Sequence, residues 1–152
     1  MEKLEFNSTI NANPEVVWDI LWGKDSYDQW TSVFAEGSTV KTDWKEGSKI
    51  LFVDGKGSGM VSYIDAKKPY EFMSFRHMGT VKEGVEDFDS PATKEWAGSK
   101  ENYWLKEVNG KTELKVDIDV TSEYRDYFEK TWPAAMQRIK ELAENVSQPA
   151  AI

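Results

Sequence analysis

The run Asn109-Gly110-Lys111-Thr112-Glu113-Leu114-Lys115-Val116-Asp117-Ile118-Asp119-Val120-Thr121-Ser122-Glu123 contains a turn, a strand and the start of a helix. Asn109 and Gly110 both tolerate the positive φ angles of a type I′ turn, so they predict a hairpin joining Ser99 to Val108 with Lys111 to Thr121. In the second arm, Leu114, Val116, Ile118 and Val120 alternate with Glu113, Lys115, Asp117 and Asp119. Such a strand buries one face and wets the other. The period then changes. Beyond Ser122 and Glu123, residues Tyr124, Phe128, Trp132, Ala135, Ile139, Leu142 and Val146 fall on a single helical stripe. A sheet with one apolar face, followed at once by a helix with one apolar stripe, requires the two to meet. Pro133 removes an internal hydrogen bond from this helix, which predicts a bend over residues 129–132.

Toward the N-terminus, Leu4, Phe6, Ser8, Ile10 and Ala12 alternate with Glu5, Asn7, Thr9 and Asn11, the pattern of a half-buried strand. Asn13 before Pro14 and Glu15 supplies an N-cap, a first-turn proline and an acidic residue, so a short helix should run to Trp22. Tyr27, Trp30 and Phe34 at spacings of three and four predict a second short helix. From Ser38 on, Glu46-Gly47, Asp54-Gly55 and Lys68-Pro69 punctuate strand-like runs at 49–53, 59–66 and 70–78, giving an antiparallel meander. Residues 82–99 mix acids with Gly84, Pro91 and Gly98 and read as irregular strands and an extended loop ending near Trp96. The expected fold class is α+β. A curved antiparallel sheet of about six to seven strands wraps a long C-terminal helix, with two short helices after the first strand. Residues 1–146 should form one domain and 147–152 a flexible tail.

Composition narrows the functional classes. The 27 acidic residues outnumber 19 basic ones for a net charge of -8, a field that repels nucleic-acid backbones. No apolar run approaches the roughly 18 residues of a membrane span, and no secretory leader is legible, so the expectation is a cytoplasmic protein. Zero cysteines exclude disulfides and thiolate chemistry. Aromatic residues make up 13% of the chain, including seven Trp, so a few large rings must do much of the burying.

The order strand, two short helices, meander and long terminal helix resembles the helix-grip fold of the START and birch-pollen-allergen (SRPBCC) superfamily. The segment Ile10-Asn11-Ala12-Asn13-Pro14-Glu15-Val16-Val17-Trp18 resembles that superfamily's opening signature. Gly57-Ser58-Gly59-Met60-Val61 leads into a strand and then Lys68-Pro69. Lys130-Thr131-Trp132 with Met136 and the stretch 139–142 is similar to the terminal helix of the branch named after the activator of the ninety-kilodalton heat-shock protein's ATPase. The resemblance implies a space between sheet and helix that in relatives often holds lipids, sterols, polyketides or other apolar molecules. It also implies fold more strongly than activity.

No catalytic set is legible. His77 is the only histidine, no serine sits in a Gly-x-Ser-x-Gly elbow, and no metal site or cofactor is expected. His77 reads as a lone histidine on a strand; Glu83, Glu86, Asp87 and Asp89 read as a solvated loop without calcium-loop spacing. Gly55, Gly57 and Gly59 read as a hairpin turn rather than a phosphate cradle. The remaining constellation is aromatic. Trp18 is assigned to the core, while Trp30, Tyr63, Trp96, Tyr103, Phe128 and Trp132 are the candidates to line a ligand cavity. Arg76 joins them if its strand parity points inward, where it would meet a carboxylate or an anionic head group, and is a surface charge if it does not. The expected function is a non-enzymatic binding module for a small apolar or amphipathic molecule. The alternatives are a chaperone-stimulating interaction domain and a cyclase or dehydratase-like enzyme using Arg76, His77, Tyr63 or Tyr103.

Overall fold

In the computed structural model, which describes residues 1–147, the chain runs through β1 (Glu2–Ile10), α1 (Pro14–Trp22), α2 (Lys24–Thr31), β2 (Thr39–Lys41), β3 (Lys49–Val53) and β4 (Gly59–Lys68). It continues through β5 (Phe72–Lys82), β6 (Val85–Asp87), α3 (Pro91–Lys94), β7 (Ser99–Val108), β8 (Lys111–Val120) and α4 (Ser122–Ser147). The eight strands form one antiparallel sheet in the order β1-β8-β7-β5-β4-β3-β2, with β6 paired to β5 off that path. The count exceeds the expected six to seven because β2 and β6 are 3 residues each, too short for alternation to register. Of the expected tail, Ser147 is the last residue of α4 and the rest lies outside the described residues.

The deciding hairpin forms as its sequence demands. Asn109 (φ 54) and Gly110 (φ 80) both take left-handed backbone, and Val108 pairs with Lys111. On the other edge of β8, Leu4, Phe6 and Ser8 of β1 stand opposite Ile118, Val116 and Leu114. The alternating apolar set therefore presents one continuous concave face to α4. Glu5 stands opposite Asp117 on the convex face, where Asp117 is itself buried and Lys3 lies 3.2 Å from Asp119 and 3.7 Å from Asp117.

Two register shifts in the β4/β5 pair bend the sheet. Val61 pairs with Gly79 while Ser62 pairs with His77, which leaves Met78 as an extra residue. The second shift lies between Ile64 and Ala66. A bulge increases local twist and re-aims the side chains beyond it. Here Met73, Phe75 and His77 face the helix before the bulge and Thr80 after it, while Val53, Val61 and Val81 form a small cluster on the convex side.

On α1, Asn13 Oδ1 accepts from the Val16 N–H at 3.0 Å and Pro14 occupies the first turn, as its sequence predicts. The helix buries Val17, Trp18, Ile20, Leu21 and Trp22 against the concave face. Trp22 sits at the centre, 4.8 Å from Tyr103 and 5.3 Å from Phe75 between ring centroids. The chain turns at Gly23, where a Cβ would come within 2.5 Å of the Asp19 carbonyl oxygen. Helix α4 continues through Pro133 and runs in the same direction as β1. Its C-terminal half is stitched to the end of β1 by Lys140 to the Thr9 carbonyl (2.9 Å) and by the Asn11 N–H to Glu144 (2.8 Å). Arg125 near its start meets Glu2 at 3.2 Å.

Candidate functional site

The space between sheet and α4 is filled at one end and open at the other. Around Trp18 and Trp22, α1 fills the concavity. Past Phe75 no side chain of α1 reaches the sheet, and a cavity of about 510 Å³ remains between the outer halves of β3, β4, β5, β7 and β8, the end of α2 and the first turns of α4. Its wall is mostly apolar: Phe34, Phe52, Met60, Ile118, Val120, Phe128 and Trp132. Trp96 closes one side. It is set there by α3, whose Ser90 hydroxyl accepts from the Thr93 N–H at 3.3 Å, and by the Gly98 N–H donating to the His77 carbonyl at 2.8 Å. Tyr124 and Tyr127 stand at the mouth and are exposed, with the Tyr127 hydroxyl donating to the Phe34 carbonyl at 2.9 Å.

One polar chain crosses the floor. Ser62 Oγ lies 2.6 Å from His77 Nδ1, His77 Nε2 lies 3.1 Å from Glu101 Oε1, and the Tyr103 hydroxyl donates to Glu101 Oε2. Strand parity brings these groups together, since His77 pairs with both Ser62 and Ser99, and Glu101 and Tyr103 share the face of Ser99. Ser62 is fully buried and its hydroxyl has no other hydrogen-bond partner among the described side chains. The imidazole is thus held at both nitrogens, by Ser62 on one side and Glu101 on the other. Burial, reinforced by the Glu101 charge, pushes the Tyr103 phenol well above its ordinary pKa, and the same two causes in the same order raise Tyr27. Both remain protonated donors at any physiological pH. Serine, imidazole and carboxylate stand here in the order of a hydrolase triad, but a nucleophile must meet its substrate, and Ser62 is sealed behind His77 and is not on the cavity wall. Among the described residues, no three His, Cys, Asp or Glu side chains converge as metal ligands.

The expected site residues separate into three groups. Trp96, Phe128 and Trp132 are on the wall. Trp30 and Tyr103 are buried behind it, which corrects their assignment to the lining. The Trp30 ring packs 6.0 Å from Trp132 and its Nε1–H donates to the Leu21 carbonyl at 3.2 Å, so its polar edge is used by backbone. Tyr103 is fully buried and meets the cavity only through Glu101. Tyr63 and Arg76 are corrected outright. They pair with each other on the outer face, because Phe75 and His77 take the inward parity, and Arg76 Nε lies 3.3 Å from Asp65 instead of meeting a ligand head group. Glu101, His77, Phe52 and Met60 were missed as lining residues. The signal for Glu101 was available, since Ser99, Glu101, Tyr103 and Leu105 share one parity.

A curved sheet gripping a terminal helix over an apolar cavity defines the helix-grip class, α+β domains in which the sheet and helix enclose the site. Residues 11–144 match the family described as Activator of Hsp90 ATPase homolog 1-like protein, and the chain belongs to that family. No curated protein matches it in sequence. Among solved structures it is similar to the Aha1 dimer from Colwellia psychrerythraea (17% identity, TM-score 0.72, covering 95% of this chain and 97% of that one). It is also similar to protein MLL2253 from Mesorhizobium loti (14%, TM-score 0.73, covering 97% and 100%). DynU16, from the dynemicin biosynthetic locus, matches at 15% identity and TM-score 0.71 over 97% of this chain, which spans about half, 49%, of DynU16. Likeness at these identities concerns the fold. None of the described helices is long and apolar enough to cross a membrane.

Proposed function

We propose that the protein binds a small hydrophobic or amphipathic molecule in this cavity and performs no chemistry on it. The observation that carries the reading is the cavity itself. Its volume of about 510 Å³ falls in the range of roughly 300–1,000 Å³ typical of small-molecule sites, and its apolar wall ends on one polar floor. Affinity would come from apolar ligand surface removed from water, at about 25 cal/mol per Å² before ordering costs. The test is native mass spectrometry of the purified chain followed by denaturing extraction. The expected result is a reproducible small-molecule adduct that disappears in Met60→Trp, where the added ring occupies the cavity. A clean unliganded mass together with no uptake of an apolar fluorophore would sink the reading.

The enzymatic alternative, of cyclase or dehydratase kind, is favoured by one observation, the pair of titratable groups His77 and Glu101 at the floor. A general base must reach the proton it removes. Both His77 nitrogens are engaged, by Ser62 and by Glu101, so His77 is not free to do so as placed, and Glu101 keeps lone pairs only for a donor that reaches it inside the cavity. An extracted ligand that returns unchanged after incubation with fresh protein separates binding from turnover. A chaperone partner rests on the family match alone.

A further inference from the structure

The charge on the cavity floor bears on what kind of amphipathic molecule fits, and the argument rests on the binding reading above. Glu101 faces inward with its side chain 18% exposed, at the end of an apolar cavity. Its two oxygens meet His77 Nε2 at 3.1 Å and the Tyr103 hydroxyl, and no lysine or arginine among the described residues pairs with it. The cationic side chains nearby are committed elsewhere: Lys100 Nζ lies 2.9 Å from Asp65 and Lys3 lies 3.2 Å from Asp119. The other acids on the wall are also occupied. Asp54 accepts from the Lys56 and Ser58 N–H groups of its own turn, and the Asp119 carboxylate turns to the convex face, where it accepts from the Lys100 N–H. Glu101 is thus a carboxylate in a low-dielectric pocket without a lysine or arginine partner, a situation that a bound cation relieves and a bound anion worsens.

We infer that the cavity selects amphiphiles whose polar end is a cation, such as a protonated amine, over anionic ones of the same chain length. The apolar chain lies along Phe52, Phe128 and Trp132, and the ammonium donates to Glu101. Selection against a carboxylate has the same origin, because a second anion would be repelled by the Glu101 charge in the same low-dielectric space.

The test is isothermal titration of the full chain with decylamine, decanol and decanoate at about pH 8, where the amine is protonated and the acid ionised. The amine is expected to bind at least about tenfold more tightly than decanoate, with decanol between them. Glu101→Gln is expected to bring amine and carboxylate to within about threefold while decanol binding holds. Decanoate binding as tightly as the amine to the unaltered protein would overturn this inference and leave the binding reading standing. Failure of all three to bind would overturn both. The ranking on the unaltered protein decides the matter even if Glu101→Gln does not fold.

Discussion

The two ends of the interface between sheet and helix are built from the same residue types and reach opposite outcomes. At the end near Ile10 and Leu114, α1 lies between the sheet and the C-terminal half of α4, and Trp18, Trp22, Leu105, Ala135, Ile139 and Ala143 are all buried in one cluster. At the end near Val120, the end of α2 and the first turns of α4 arch over the sheet without filling it, Tyr124 and Tyr127 remain exposed, and about 510 Å³ stays open. Aromatic content does not distinguish a core from a cavity. What distinguishes them is whether a third element inserts a ring into the concavity, and α1 is too short to do so along the whole sheet.

The largest effect should come from exchanging the two central tryptophans. Trp22 contacts Trp18, Trp44, Phe75 and Tyr103, so Trp22→Ala leaves a void in the sealed end and should cost about 3–5 kcal/mol, read from urea unfolding. Trp132 is also buried, against Phe6, Trp30, Phe34 and Tyr103, but its ring borders existing free space. Trp132→Ala should change decanol affinity more than Trp22→Ala does under conditions where both variants are folded. Equal changes in affinity would mean that the two ends are not distinct.

A smaller effect should come from the open end's own wall. Gly59 starts β4 opposite Val53, and a Cβ there would lie 1.8 Å from the Phe52 carbonyl oxygen. Backbone has to move to relieve such a contact, so Gly59→Ala should destabilise by about 1–3 kcal/mol. It should also displace Phe52 from its edge-on packing against Phe75 and His77, at 5.2 and 5.8 Å. Full stability with altered probe binding would show that the β3/β4 hairpin moves independently of the sealed end. Gly79 is a similar close approach on the convex side, where a Cβ would meet the Phe88 ring at 2.6 Å.

The contrast between the ends also explains what the sequence disclosed. Strand β8, both short helices and the stripe on α4 were legible because each buries a single face and so carries a regular period. The site was legible only where parity was fixed by such a face. Phe128 and Trp132 lie on the α4 stripe, and both reach the cavity. Strand β5 is apolar on both faces through Phe72, Met73 and Phe75, and its register is set by a bulge that leaves Met78 extra, so neither the outward turn of Arg76 nor the inward turn of His77 could be read. His77 read as an isolated histidine because its partners, Ser62 and Glu101, lie 15 and 24 residues away and meet it only through strand pairing.

The smallest expected effect tests how the sealed end is fastened. Glu144 accepts from Lys140 Nζ at 2.6 Å and from the Asn11 N–H at 2.8 Å, and these two bonds, in that order, hold its carboxyl below the usual range. A depressed folded-state value means the stabilisation is complete above the unfolded carboxylate value of about 4.3 and is lost as pH falls through the lower folded value. The carboxylate keeps one edge in solvent, with its side chain 26% exposed, so screening limits the contribution to about 0.5 kcal/mol. Thermal melts of the unaltered chain and of Glu144→Gln should therefore differ slightly above about pH 5 and converge as pH falls below the unfolded carboxylate value. The ion pairs at the other end of α4, Arg125 with Glu2 and with Glu129, are exposed, and Arg125→Gln should shift the melt less. If Arg125→Gln has the larger effect, α4 is held to β1 chiefly at the cavity end. The open space would then depend on that clamp and not on the limited reach of α1.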